Sequence, residues 1–551
     1  MNSVPADVVI HHARVYTLEP AMPWAEAVAI HDGRIVGVGN DDEMHEHIGA
    51  ETTVLDAAGR FMLPGFIDSH NHIRLGSDAE CVQLAGASSL EEIRARIGAW
   101  LRAHPQVDWI EAEGLNYTAI PEGRMPSAAD LDPMTEGRPA FVFTYDVHNV
   151  WLNTEAMRRL GIHSGGQVLP FGVAQADPDT GAPTGFVTEF AVRGLSRQGH
   201  RALRDRVPWA SEERRYRRLL HSLELAAACG ITTIVEPQNS LDDLPLFERA
   251  RREGHLQSRL IAALFHPRGT SEADLDAFAE AARHYDDEWF RVGPIKLYID
   301  DVVEPHTAAL LQHYANHASD PSWRGETFYS PDEFAQLVTR LDQRGFQTFT
   351  HATGDRGIRT ALDAIAQARA TNGPRDARHQ LVHVECPSAE DIPRFRELDV
   401  VACMQPRHCA PDIAGPGHDW AEAVGAERWS QAWPFRSLHQ AGAPLAFSSD
   451  WNVAEMEPLI GIYTALTRRS LDGSAVWMPE ETVDLPTALH AYTLGGAYAN
   501  FREDDLGSIT VGKRADLAML SDNLFTLPPE AIKDVQVDMT MVGGQVIYER
   551  R

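Results

Sequence analysis

The chain has 551 residues, 44% hydrophobic and 23% charged, with 79 acidic against 49 basic side chains and a formal charge of −30. This is the composition of a globular polypeptide, long enough for several ordinary domains or for one barrel with insertions. The acidic balance repels phosphate backbones and argues against nucleic acid as a partner.

Met1 to Asp7 carry neither a basic n-region nor a long apolar stretch, so no signal peptide is read there, and no apolar run approaches a membrane span. The five cysteines (Cys81, Cys229, Cys386, Cys403, Cys409) are odd in number, scattered and without Cys-x-x-Cys spacing. They read as buried thiols of a reducing compartment rather than a disulfide framework. Together these features predict a cytoplasmic protein with no membrane partner.

Residues 8–60 alternate short β-rich runs with turns, and Asp32-Gly33 between two apolar runs is a hairpin signal. Residues 61–67 begin a series of apolar strands and lead through Pro64-Gly65 to His70 and His72. Two residues apart on a strand, these imidazoles face the same way and can share one metal ion. The gap to the next strand is too long for a single helix, which predicts an insertion at about 78–210.

Further strands follow at 231–236, 259–265, 292–299, 346–351, 379–384, 400–405 and 444–448, with amphipathic helical segments at 331–344, 356–370 and 388–398. Eight strands with intervening helices predict an α/β fold, a (β/α)8 TIM-type barrel over 59–504. The tail repeats the β-rich pattern of the head, with Gly543-Gly544 as another tight turn. Residues 1–58 and 505–551 are therefore predicted to form one discontinuous, small β-sandwich domain.

Candidate ligands fall at the C-terminal ends of the predicted strands, where the chemistry of such barrels sits. Strand one supplies His70 and His72, strand four Lys296, strand five His351, strand six His383 and strand eight Asp450. Histidine and carboxylate donors suit Zn2+ and its neighbours, and a catalytic site keeps a coordination position open. Asp68 shares a face with His70 and reads as a partner to the ligands; His379 is four residues from His383, too far for both to be ligands. A bland alternative for Lys296 is a salt bridge to Asp300 or Asp301.

The segments Leu63–His72, Thr350–Asp355, Val382–Glu385, Gln405–His408, Phe447–Asp450 and Gly507–Leu517 together resemble the metal-dependent amidohydrolase superfamily. The resemblance is to its amidohydrolase 3, YtcJ-like branch, which also contains N-substituted formamide deformylases. It implies that His70, His72 and Asp450 bind one metal, that His351 and His383 bind a second, and that Lys296, carboxylated by CO2, bridges the two. The implied ion is Zn2+, with Mn2+ or Fe2+ as alternatives.

Asp450 would move protons, and His408, ending strand seven, would polarise the carbonyl or bind substrate. His148 would face substrate from the insertion, and Tyr298 and Trp451 would line the pocket. The implied activity is hydrolysis of a C–N bond in a small molecule, a linear N-acyl or N-formyl amine. Hydrolysis of cyclic amides or esters, or non-hydrolytic work as a decarboxylase, lyase or isomerase, is the alternative. A non-catalytic scaffold should have lost a ligand, and none is missing. Homodimers are common among such proteins.

Overall fold

The computed structural model describes residues 5–76, 80–121, 124–317 and 320–550, and at its centre eight parallel strands run in chain order around a barrel. They are β1 (Phe66–Asp68), β2 (Ile231–Asn239), β3 (Arg259–Phe265), β4 (Phe290–Tyr298), β5 (Thr348–Ala352), β6 (Gln380–His383), β7 (Val401–Met404) and β8 (Leu445–Phe447). The seam between β8 and β1 is closed where the Ser69 N–H donates to the Phe447 carbonyl at 3.3 Å. The strands are nearly continuous apolar runs because both faces are covered. Val235, Ile261, Phe349, Val382 and Cys403 fill the inside, while outer residues pack on helices such as Pro331–Gln343 and Asp355–Asn372. The first of these helices starts as its sequence dictates, with Pro331 in the first turn and a reciprocal Ser330–Glu333 capping box.

The run 61–67, expected as one strand, is divided between two sheets. Phe61–Pro64 pairs with Arg14–Tyr16 and Leu517–Leu520 in a six-stranded sheet of the chain ends, and only Phe66–Asp68 belongs to the barrel. Pro64 has no N–H to continue a ladder. Gly65 donates its own N–H to the Asp516 carbonyl at 2.9 Å and passes so close to Thr232 that an added Cβ would lie 2.1 Å from Cγ2. The chain therefore changes sheets at this Pro-Gly pair. As a result His70 and His72 lie beyond the strand end, not on it, and His408 sits in a 3-10 turn (Pro406–Cys409) after β7.

Strands from both termini make two sheets, one of four strands and one of six, that share a core of Val15, Val28, Ile30, Met62, Leu517 and Met541. The turns at Asp32-Gly33 and Gly543-Gly544 both hold positive φ, and Gly33 packs so closely on Gly543 that a Cβ would meet its carbonyl oxygen at 2.9 Å. Between β1 and β2 lies a separate seven-stranded sheet spanning 82–188 with its own apolar cores. The residue at which the insertion is predicted to begin, 78, lies outside the described residues, as do Met1 to Val4. All five cysteines are free thiols, and no helix of the described residues is long and apolar enough to cross a membrane.

The barrel base is tied to the terminal sheets by one buried ion pair. Arg259 at the start of β3 donates Nε and Nη2 to the two carboxylate oxygens of Asp516 at 2.7 and 2.9 Å, and the Gly543 N–H adds a third bond at 2.8 Å. Removing one partner of such a pair strands a buried charge. Asp516→Ala is predicted to lower unfolding free energy by about 3–5 kcal/mol, read as a fall in the chemical-denaturation midpoint. A loss below about 1 kcal/mol would mean that the Glu288 carbonyl and the Trp289 ring suffice to hold Arg259.

Candidate active site at the barrel mouth

The seam of the barrel builds the centre of the site. Asp68, the last residue of β1, accepts the Ser449 N–H at 3.0 Å, the Ser449 hydroxyl at 2.5 Å and the Asn71 amide at 2.9 Å. Above it the Asp450 N–H donates to the His70 carbonyl at 2.8 Å and the His72 N–H to the Trp451 carbonyl at 2.6 Å. These bonds clip the loop after β1 to the loop after β8 and fix Asp450 in a left-handed backbone, φ +58°. His70 Nε2 then lies 3.1 Å and His72 Nε2 3.4 Å from the same Asp450 oxygen, Oδ1.

β6 adds His383 from across the barrel. Its Nδ1 donates to Gln405 Oε1 at 2.9 Å, and Gln405 is itself oriented by donating Nε2 to the Ser448 hydroxyl at 2.8 Å. That arrangement leaves the Nε2 lone pair of His383 free for a ligand. One donor atom each from His70, His383 and Asp450 lie within 4.8 Å of one another, and a second such group comprises His383, Glu385 and His408.

The electrostatics match a cation-binding centre. Burial, reinforced by the Lys296 charge, pushes His70 down to about 3 and His351 well below the ordinary imidazole range; burial and His351 do the same to His383. Burial alone would raise Asp450, but His70 and His72 beside it hold it well below the usual carboxylate range. His70, His351 and His383 are therefore neutral imidazoles near one carboxylate, the protonation states that metal ligands require. His70 Nδ1, His72 Nδ1, Asp450 Oδ1 and Lys296 Nζ are all buried and make no hydrogen bond among the described residues. Such a concentration of orphaned polar atoms is costly unless a ligand satisfies them, and the donor types fit a divalent metal.

Lys296, fully buried on β4, makes no salt bridge to Asp300 or Asp301. Its Nζ lies 4.9 Å from the Tyr298 ring centroid and 5.3 Å from that of Phe349. Asp300 instead accepts the N–H groups of Ala309, Thr353 and Gly354 at 2.9–3.1 Å, and burial raises its carboxyl to about 7. His351 stacks on Tyr298 at 4.8 Å and donates Nε2 to the Asp301 carbonyl at 3.2 Å; it joins neither ligand group. Tyr298 lines the cavity with its ring, its hydroxyl donating to Gln238 Oε1 at 2.6 Å. His379 sits at the opposite end of β6, against Thr348 and Asp342.

The insertion reaches the mouth through the loop between its strands Ala140–Thr144 and Val150–Leu152. There His148 forms a buried ion pair with Asp301; burial works against its charge, but Asp301 raises it to about 9. Trp451 and His408 also face the cavity, of about 660 Å³, and His408 Nε2 lies 3.9 Å from Asp450 Oδ2. Sequence reasoning missed Tyr145, Glu304, Arg407 and Asp419, which line the same cavity. For Glu304 and Arg407 the visible signal was position, shortly after the strands read at 292–299 and 400–405.

Residues 53–548 match the model of the amidohydrolase family. The chain is 28% identical to Protein LONG AFTER FAR-RED 3 of Arabidopsis thaliana, over 99% of this chain and 92% of that one. It is 26% identical to an N-substituted formamide deformylase of Arthrobacter pascens, over 99% and 98% of the two chains. In fold it is similar to an uncharacterized metal-dependent hydrolase of Pyrococcus horikoshii, with a TM-score of 0.73 at 20% identity, over 95% of this chain and 99% of that one. With a barrel whose mouth gathers histidines around a buried carboxylate, and a family match over nearly its whole length, the chain belongs to the amidohydrolase family.

Proposed function

We propose that the protein is a metal-dependent hydrolase of a C–N bond in a small molecule, a linear N-acyl or N-formyl amine. The observation that carries this reading is the meeting of His70, His72, His383 and Asp450 at one buried point with unsatisfied polar atoms. The similarity to an N-substituted formamide deformylase supports the linear amide over a cyclic one.

His70, His72 and Asp450 would hold a divalent ion such as Zn2+, with His383 completing the set. Lys296 and His351 would serve a second ion if the lysine amine adds to the carbon of CO2 and releases a proton to become a carbamate. A bound ion supplies Lewis acidity and lowers the pKa of water. Asp450, anionic and next to the site, accepts the proton of the attacking water and delivers it to the departing amine nitrogen. His408, whose Nε2 is without a hydrogen bond among the described residues, donates to the carbonyl oxygen as negative charge builds there. His148, held by Asp301, orients the substrate from the insertion side.

Hydrolysis of N-formyl amines, N-acyl amino acids, aryl amides, lactones and esters, followed by mass spectrometry, tests the reading. Turnover is expected for the amides, and Asp450→Asn should lower kcat by about 10²–10⁴-fold. Equal turnover by both proteins would remove Asp450 from proton transfer.

Metal removal offers an independent check. Chelation should lower the melting temperature, because an ion bound only by the folded chain stabilises it, and zinc should restore it. Protein prepared with zinc and bicarbonate is expected to hold two ions per chain; one would leave Lys296 a free amine and confine the ion to the compact set. A melting temperature indifferent to chelator, with no metal retained, would overturn the metal-centre reading.

A further inference from the structure

Beside the main cavity lies a second one, of about 200 Å³. Ala85, Gly114, Tyr145, Trp451, Asn452 and Val453 line both, so the two spaces meet along one boundary. Beyond that boundary the smaller chamber is walled by Leu75, Phe143, Val147 and Trp209, all buried and all members of one apolar cluster. Leu75 comes from the loop after β1, and the other three come from the insertion. The chamber is therefore built jointly, where the insertion packs beside the barrel mouth.

Its polar neighbours are engaged or stand at the boundary. The Thr144 hydroxyl donates to Asp146 at 2.5 Å, and Gln83 Nε2 donates to Glu113 at 2.8 Å. Trp451 Nε1 and Asn452 Oδ1 are buried atoms with no hydrogen bond among the described residues, and both belong to boundary residues. A molecule spanning the two spaces meets polar atoms at the boundary and hydrocarbon behind it. That order suits a polar reacting group in the main cavity with an apolar substituent in the chamber.

Size and position narrow the substituent. An apolar cavity of about 150 Å³ admits a benzene ring, so this one has room for a six-membered ring and little more. Trp451 directly follows Asp450, and the Val453 N–H donates to the Asp450 carbonyl at 2.8 Å. The mechanism above has Asp450 protonate the departing nitrogen, which puts the chamber on the amine side of a bound amide.

We propose that this chamber is a subsite for a ring-sized hydrocarbon group on the amine portion of the substrate. The preferred amide is then one whose nitrogen carries a cyclic or branched apolar substituent of about six carbons. The inference rests on the C–N hydrolase reading above.

The test compares three acetamides on the zinc-loaded protein: N-(cyclohexylmethyl)acetamide, N-methylacetamide and N-acetyl-β-alanine, which offer a ring, a methyl and a carboxylate. Hydrocarbon buried in an apolar pocket predicts kcat/KM for the ring compound at least about a hundredfold above the methyl compound, with the carboxylate poorest. Ala85→Phe and Val453→Phe, at exposed and half-buried positions of the boundary, narrow the chamber without touching its apolar cluster. Each should bring that ratio below about tenfold. Cyclohexanemethanol, which has no C–N bond, reads the chamber without catalysis. Calorimetry should show it binding with a negative heat-capacity change, weakened at least about tenfold by Ala85→Phe.

Binding of this alcohol that depends on Ala85, with none of the amides cleaved, would keep the chamber and overturn the hydrolase reading. Cleavage without preference for the ring compound would overturn the chamber and keep the hydrolase. A ring preference indifferent to both substitutions would place the ring elsewhere in the main cavity, and would also overturn the chamber.

Discussion

The site depends on how the barrel is closed. β1 and β8 are far apart in sequence and short, and what joins them is less a ladder than the carboxylate of Asp68 receiving both polar hydrogens of Ser449. Burial pushes this acid up to about 6, and the hydrogen bonds from Ser449, Asn71 and the His70 N–H oppose that shift. With the two loops clipped together, His70 and His72 reach Asp450 across the seam. The clip thus serves fold and site at once, because the residues that close the barrel are neighbours of the residues that gather at its mouth.

Below the mouth several buried charges are met by a partner of opposite sign, as Arg259 has Asp516 and Arg215 has Asp243, while Arg468 donates to the carbonyls of Ala432 and Trp433. At the mouth Lys296 Nζ has no hydrogen-bond partner among the described residues, and Asp450 has the imidazoles of His70 and His72 beside it. Buried polar groups left without partners mark positions where a ligand completes the structure.

The insertion contributes in a different way. It has its own sheet and apolar cores. One loop nevertheless reaches over, with polar contacts from His148 to Asp301 and from Tyr145 to Glu304 on the loop after β4 and the His148 ring beside Tyr298 and His351. The loop after β4 is held from below by the bonds that Asp300 accepts from the segments at 309 and 353–354. Pocket shape is thus set jointly by insertion and barrel, which is how one fold supports many substrates.

The sequence by itself determined the barrel, the terminal sheets and the list of candidate ligands, because each rests on local pattern. Apolar runs with turn residues between them mark strands whatever the tertiary context, and Asp32-Gly33 and Gly543-Gly544 can hold the positive φ of tight turns. The division of 61–67 between two sheets was not legible, since it follows from Thr232 crowding Gly65 and Asp516 accepting its N–H, both far along the chain. Likewise a salt bridge to Asp300 or Asp301 was an open alternative for Lys296 in the sequence. Only the folded chain, by giving Asp300 to backbone amides and Asp301 to His148, left it alone in the barrel. The role of Gln405, which orients His383, was equally hidden, because a side chain's partner is a matter of three-dimensional proximity that local pattern does not encode.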